Sequence, residues 1–219
     1  MKKIVLLLAI LIICIGFTNA QKEKISGNWL LTKVIEGDEP FEPFFIQNFK
    51  EDGKMVAMGH ELGTWEYNAK KQLLLMHSDE SKEFDGEFKI ALLSPKSMQL
   101  EQGDIQLFYT KINQESVAEN NALLNFEGEW KLDNDLDEMQ LLKIEFPDTF
   151  FITRISPGGG SSTYNGNWMY NPEEKTVLFL GGSSFIRGFL AVKEISKKGF
   201  TLERNKTEII GKKKQQQNQ

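Results

Sequence analysis

Gly63-Thr64-Trp65-Glu66-Tyr67-Asn68 and Gly166-Asn167-Trp168-Met169-Tyr170-Asn171 stand 103 residues apart in one chain of 219. Each hexapeptide places two wide rings two residues apart, the period of a half-buried strand. Outward from them, Gly27-Asn28-Trp29 returns as Gly128-Glu129-Trp130 after 101 residues. Further along, residues 93–101 return as residues 195–203 after 102. All four tryptophans fall in matching places. Three collinear matches at nearly one offset mark an internal duplication.

The small changes of offset place the insertions. The first copy is longer at residues 36–43, and the second at residues 157–162; both are expected as surface loops. The domains then run from 25 to 112 and from 126 to 211. Between them, residues 113–125 read as a linker with one short helix, and residues 212–219, Lys then Gln and Asn, as a disordered tail.

Each copy reads as strands. In the first they are expected at 28–34, 44–49, 54–58, 64–68, 72–77, 87–93, 97–101 and 105–111, separated by short polar turns. Such connections permit only antiparallel neighbours, since a parallel crossover needs about a dozen residues. Eight strands in a meander remove their edges by closing on themselves. The expected fold is all-β: two tandem up-and-down antiparallel barrels. Trp65 and Tyr67, Phe88 and Ile90, and Met98 and Leu100 share an inward face, as do Trp168 and Tyr170, Leu190 and Val192, and Phe200 and Leu202.

An opening strand with Gly-x-Trp followed by seven short antiparallel strands resembles the bacterial lipocalin-like domains, small relatives of the calycin barrels. The resemblance covers most of residues 25–112 and 126–211 and implies that Trp29 and Trp130 plug the closed end as structural residues. Each copy is about half the length of a full lipocalin, which implies a shallow calyx. No Arg recurs near the last strand to stack on the opening Trp, as lipocalins usually have. An eight-stranded barrel is either filled by its own side chains or holds one small ligand. Trp65, Tyr67, Phe88, Ile90, Met98, Leu100, Trp168, Tyr170, Leu190, Val192 and Phe200 are therefore both core-filling residues and candidate ligand contacts, and the interior reading stays open between the two.

Residues 1–20 read as an export signal: Lys2-Lys3, an apolar run from Ile4 to Ile15, and Thr18-Asn19-Ala20 before the cleavage point. The run is too short to cross a bilayer comfortably. Cys14 follows Ile13, where a lipoprotein signal needs a small residue, so lipidation is not expected. After cleavage no cysteine remains, which excludes disulfides, thiolate metal ligands and thiol nucleophiles. The expected place is the periplasm or the cell exterior, with no integral membrane segment. Net charge is −5, and −7 without Lys2 and Lys3, which argues against nucleic acid.

Other motifs carry little chemistry. The acidic run 133–138 would need Gly at its sixth position and Glu at its twelfth to be an EF-hand; it has Glu138 and Ile144. The glycine stretches at 158–163 and 181–184 lack the Lys and helix of a phosphate cradle. His60 and His77 are the only histidines and lack helical spacing or a third ligand, so haem and metal are not expected. No activated Ser or Cys with a base is present, so no enzyme is expected. The leading function is an exported carrier or scavenger of a small apolar or amphipathic ligand. The alternative is a protein-interaction module with solid barrels, its contact in the acidic loop at 36–43 with Phe41 as anchor.

Overall fold

The structure is a computed structural model, described for residues 23–57, 60–78, 84–133, 138–182 and 185–214. The expected export signal at residues 1–20, residues 134–137 of the acidic run, Ser183-Ser184 and residues 215–219 lie outside these. The chain divides into two compact units, residues 1–112 and 113–219.

In the first unit β1 (Gly27–Glu36), β3 (Phe45–Phe49), β4 (Lys54–Ala57), β5 (His60–Asn68), β6 (Leu73–Ser78), β7 (Gly86–Leu93), β8 (Ser97–Gln102) and β9 (Ile105–Ile112) pair in sequence, and β1 meets β9 to close the barrel. These follow the eight expected strands. The addition is β2 (Glu39–Phe41), which pairs with the distal end of β1 beyond β3, so the loop at 36–43 is a hairpin turning at Gly37-Asp38.

The second unit is a closed barrel of β10 (Gly128–Asp133), β11 (Met139–Glu145), β12 (Thr149–Ile155), β13 (Ser161–Asn171), β14 (Thr176–Gly181), β15 (Gly188–Ile195), β16 (Gly199–Arg204) and β17 (Thr207–Lys213). The loop at 157–162 is the tip of the β12–β13 hairpin, with Ser161 and Ser162 already paired. Lys212 and Lys213, expected in the disordered tail, belong to β17; Lys213 pairs with Trp130 and closes the sheet. The linker carries α1 (Val117–Leu124), which ends on Asn125 in the left-handed conformation.

Strict alternation would turn Leu92 inward after Phe88 and Ile90. A bulge between Ile90 and Leu92 leaves Leu92 half exposed and brings Leu93 against the core, opposite Met98. The same bulge recurs between Val192 and Glu194 and sets Ile195 opposite Phe200. A bulge adds one residue and sharpens the local twist, which helps a small sheet to close.

The glycine of the repeated hexapeptide is fixed by close approach. A Cβ on Gly63 would sit 1.9 Å from the His77 carbonyl oxygen, and one on Gly166 2.0 Å from that of Leu180. Backbone fills that space on the neighbouring strand, so no side chain can replace the hydrogen atom.

Candidate functional site

At the end of the first barrel where β1 begins, Trp29 is fully buried, and its indole N–H donates to the Ile25 carbonyl at 2.6 Å. The Lys111 ammonium lies 5.0 Å from the Trp29 ring centre and donates to the carbonyls of Lys24 (2.9 Å) and Ser26 (2.8 Å). Burial lowers the Lys111 pKa from its ordinary 10.5. The second barrel repeats the device. Trp130 donates to the Phe126 carbonyl at 3.1 Å, and Lys213 lies 4.2 Å from its ring and donates to the Glu127 carbonyl at 3.0 Å. The cation over the opening Trp is thus a lysine in both copies. Its signal was present as Lys111 and Lys213, 102 residues apart.

Every candidate ligand contact lies in or against the core of its own barrel. In the first, Trp65, Phe88, Met98 and Leu100 retain 0–4% exposure, with Tyr67 and Ile90 partly buried. In the second, Trp168, Leu190 and Phe200 retain 0–2%, with Tyr170 and Val192 partly buried. The indole N–H groups are already spent on backbone: Trp65 on the Lys50 carbonyl (2.9 Å), Trp168 on that of Glu145 (3.3 Å). Edge-on rings fill the middle, Phe49 against Trp65 at 5.8 Å and Phe126 against Trp168 at 5.7 Å. At the opposite end Phe84, edge-on to Phe45, packs against the first core, and Ile186 is buried in the second. A ligand-sized void would leave its lining exposed to water-sized contact, and these side chains have almost none.

Polar groups inside the barrels distinguish the copies. In the first, Gln47 is fully buried, accepts from the Tyr109 hydroxyl at 2.9 Å and directs its amide at the Met55 sulfur at 3.5 Å. Burial pushes the Tyr109 phenol far above its usual range, so it remains a donor. In the second, the buried Asn121 of α1 stitches the helix to the barrel. It donates to the carbonyls of Pro147 (2.7 Å) and Trp168 (3.1 Å) and accepts from the Tyr170 N–H (2.7 Å). Gln140 on β11 is 2% exposed, and its Oε1 accepts no hydrogen bond among the described residues.

The remaining chemistry is on the outside. His77 faces Asp85 at 3.0 Å, beside a cleft of about 560 Å3 on β5–β7 lined by Asp52, Thr64, Glu66, Leu75 and Glu87. Asp133 and Glu138, at the two ends of the acidic run, pair with Lys212 (2.8 Å) and Arg154 (2.6 Å). Among the described residues no three metal-ligating side chains converge, and no helix is long and apolar enough to cross a membrane. On the β1–β2 hairpin Phe41 is 47% exposed amid Glu36, Asp38, Glu39 and Glu42.

No family model, curated protein or solved structure matches the chain.

Proposed function

We propose that this chain is an exported, non-enzymatic interaction module built from two lipocalin-like barrels, in which the barrels are solid scaffolds and the β1–β2 hairpin makes the contact. The observation that carries the reading is a contrast of exposure. The inward side chains of both barrels are almost wholly buried, while Phe41 stands nearly half exposed on a hairpin with no counterpart among the described residues of the second copy. Aromatic anchors ringed by polar groups are the usual centres of protein interfaces. Edge pairing is a poor mode here, since Pro40 in the middle of β2 has no N–H to offer a further strand. The contact is therefore through side chains, with the Phe41 ring as anchor and the carboxylates around it selecting a basic rim.

Export follows from Lys2-Lys3, the apolar run and the Ala20 cleavage point. A photo-crosslinking residue placed at Phe41 in the exported protein tests the reading, with one at Lys70 on the β5–β6 turn as control. A discrete protein adduct from position 41 alone is the expected result; adducts from neither position, or equally from both, contradict it.

A further inference from the structure

We propose that the outer face of β5–β7 in the first barrel binds a linear aliphatic diamine, with an ammonium group on each of Glu66 and Glu87 and the methylene chain on Leu75. This does not depend on the hairpin reading. Leu74, Met76 and Ser78 are the buried face of β6, so Leu75 and His77 look outward. The pairing sets Glu66 of β5 directly opposite Leu75, and Leu75 directly opposite Glu87 of β7. An acid, a leucine and an acid thus stand in one row across three strands. All three line the cleft of about 560 Å3, together with Asp52 and Thr64.

Carboxylates alone would draw any cation; the leucine between them is what selects. Neighbouring strands lie about 4.8 Å apart, so the backbones at Glu66 and Glu87 are separated by about 10 Å with an apolar floor between. An alkyl chain laid across β6 covers Leu75, and each of its charged ends meets one carboxylate. Among the described residues neither glutamate is in an ion pair, and no Lys or Arg lines the cleft. His77 borders it and faces Asp85 at 3.0 Å. Lys89, the next outward residue of β7, stands opposite Glu101 on β8. The second barrel keeps the leucine and has neither acid. Its row is Met169, Leu178 and Phe189, which offers a diamine nothing at either end.

The probe is 1,6-diaminohexane. Its comparators are hexylamine, which has the chain but one charge, and 1,3-diaminopropane, which has both charges on a chain too short to span the row. Each is titrated into the full mature chain at neutral pH and fixed ionic strength while backbone amide shifts are followed by NMR. The probe should shift the amides of β5–β7 saturably and bind about fivefold more tightly than either comparator, the worth of one further exposed ion pair. The second barrel should be unmoved and serves as the internal control. Glu66→Gln and Glu87→Gln should each bring the probe down to the affinity of hexylamine, while Glu101→Gln, one strand further on, should leave the preference intact. If a variant does not fold, the comparison of the three amines on the unsubstituted chain decides alone. Equal affinity of the three, no saturable shift, shifts scattered over both barrels, or a preference that survives loss of either glutamate or falls equally with Glu101→Gln would each overturn the proposal.

Discussion

Across β8 and β9 of the first barrel Met98 faces Tyr109; across β16 and β17 of the second Phe200 faces Gly211. The volume lost at one strand is returned by its direct neighbour. A Cβ on Gly211 would lie 2.1 Å from the Phe200 ring. Similar exchanges run through both interiors: Phe49 with Met55 in one corresponds to Ile144 with Phe150 in the other, and Leu74 with Phe88 to Val177 with Leu190. Two copies of one barrel have kept total filling while redistributing it, as close-packed cores require. What did not travel with the volume is the polar chemistry. Tyr109 donates to Gln47 in the first interior; in the second, Gly211 and Leu142 hold the corresponding positions, so donor and acceptor are absent together.

The largest test of this comparison removes the shared part. Trp29→Ala and Trp130→Ala should each cost about 3–5 kcal/mol, the range for a fully buried ring. Because each barrel has its own core, calorimetry should show one transition lowered and the other kept. A common loss of both would mean that the cores are not independent.

Next is the exchange of volume itself. Gly211→Ala should destabilise the second barrel by about 1–3 kcal/mol through overpacking. Combining it with Phe200→Met should recover most of that loss, a coupling read directly from a double-mutant cycle. Strict additivity would break the argument that the pair compensates.

Tyr109→Phe sharpens the polar side. It leaves the Gln47 Oε1 unpaired and should cost the first barrel about 1–3 kcal/mol. The pH dependence has a definite sign. Burial raises the Tyr109 pKa above its ordinary 10.0, so below pH 10 folded and unfolded chains both hold the proton. Above pH 10 the unfolded chain releases it and the folded chain does not, so stability falls as pH rises. Lys111, lowered from 10.5 by burial, acts in the opposite direction up to that pH. Urea midpoints of wild type and Tyr109→Phe should therefore converge above pH 10.

The smallest effect belongs to the lysine–tryptophan pairs. Lys111→Met and Lys213→Met each lose a cation over a Trp face and hydrogen bonds to carbonyls, and should each lower their own barrel by about 1 kcal/mol. A loss confined to one copy would show that the repeated lysine is used only once.

Duplication, strand order and the inward face were all legible from residues 63–68 and their echo, because a two-residue period and a repeated offset are local properties of a chain. The candidate interior residues were legible for the same reason, each lying in or against the core of its own barrel. The bulges were not, since an extra residue that redirects Leu93 is set by closure of the sheet. Nor was β2: Glu39-Pro40-Phe41 has no strand pattern of its own and is held by the far end of β1. The closing lysines were visible as a repeat, but only β9 and β17 returning beside the opening strands put them over the Trp rings.

By itself the sequence determined that this chain makes two antiparallel barrels with aromatic interiors, since alternation, turn chemistry and repetition are written residue by residue. Only the tertiary structure decided which interior groups meet. Whether a buried glutamine finds a donor depends on what stands across a closed sheet, 62 residues away in the case of Gln47 and Tyr109. That pairing is a property of packing, and nothing in the local chain around Gln47 records which residue of β9 returns beside it.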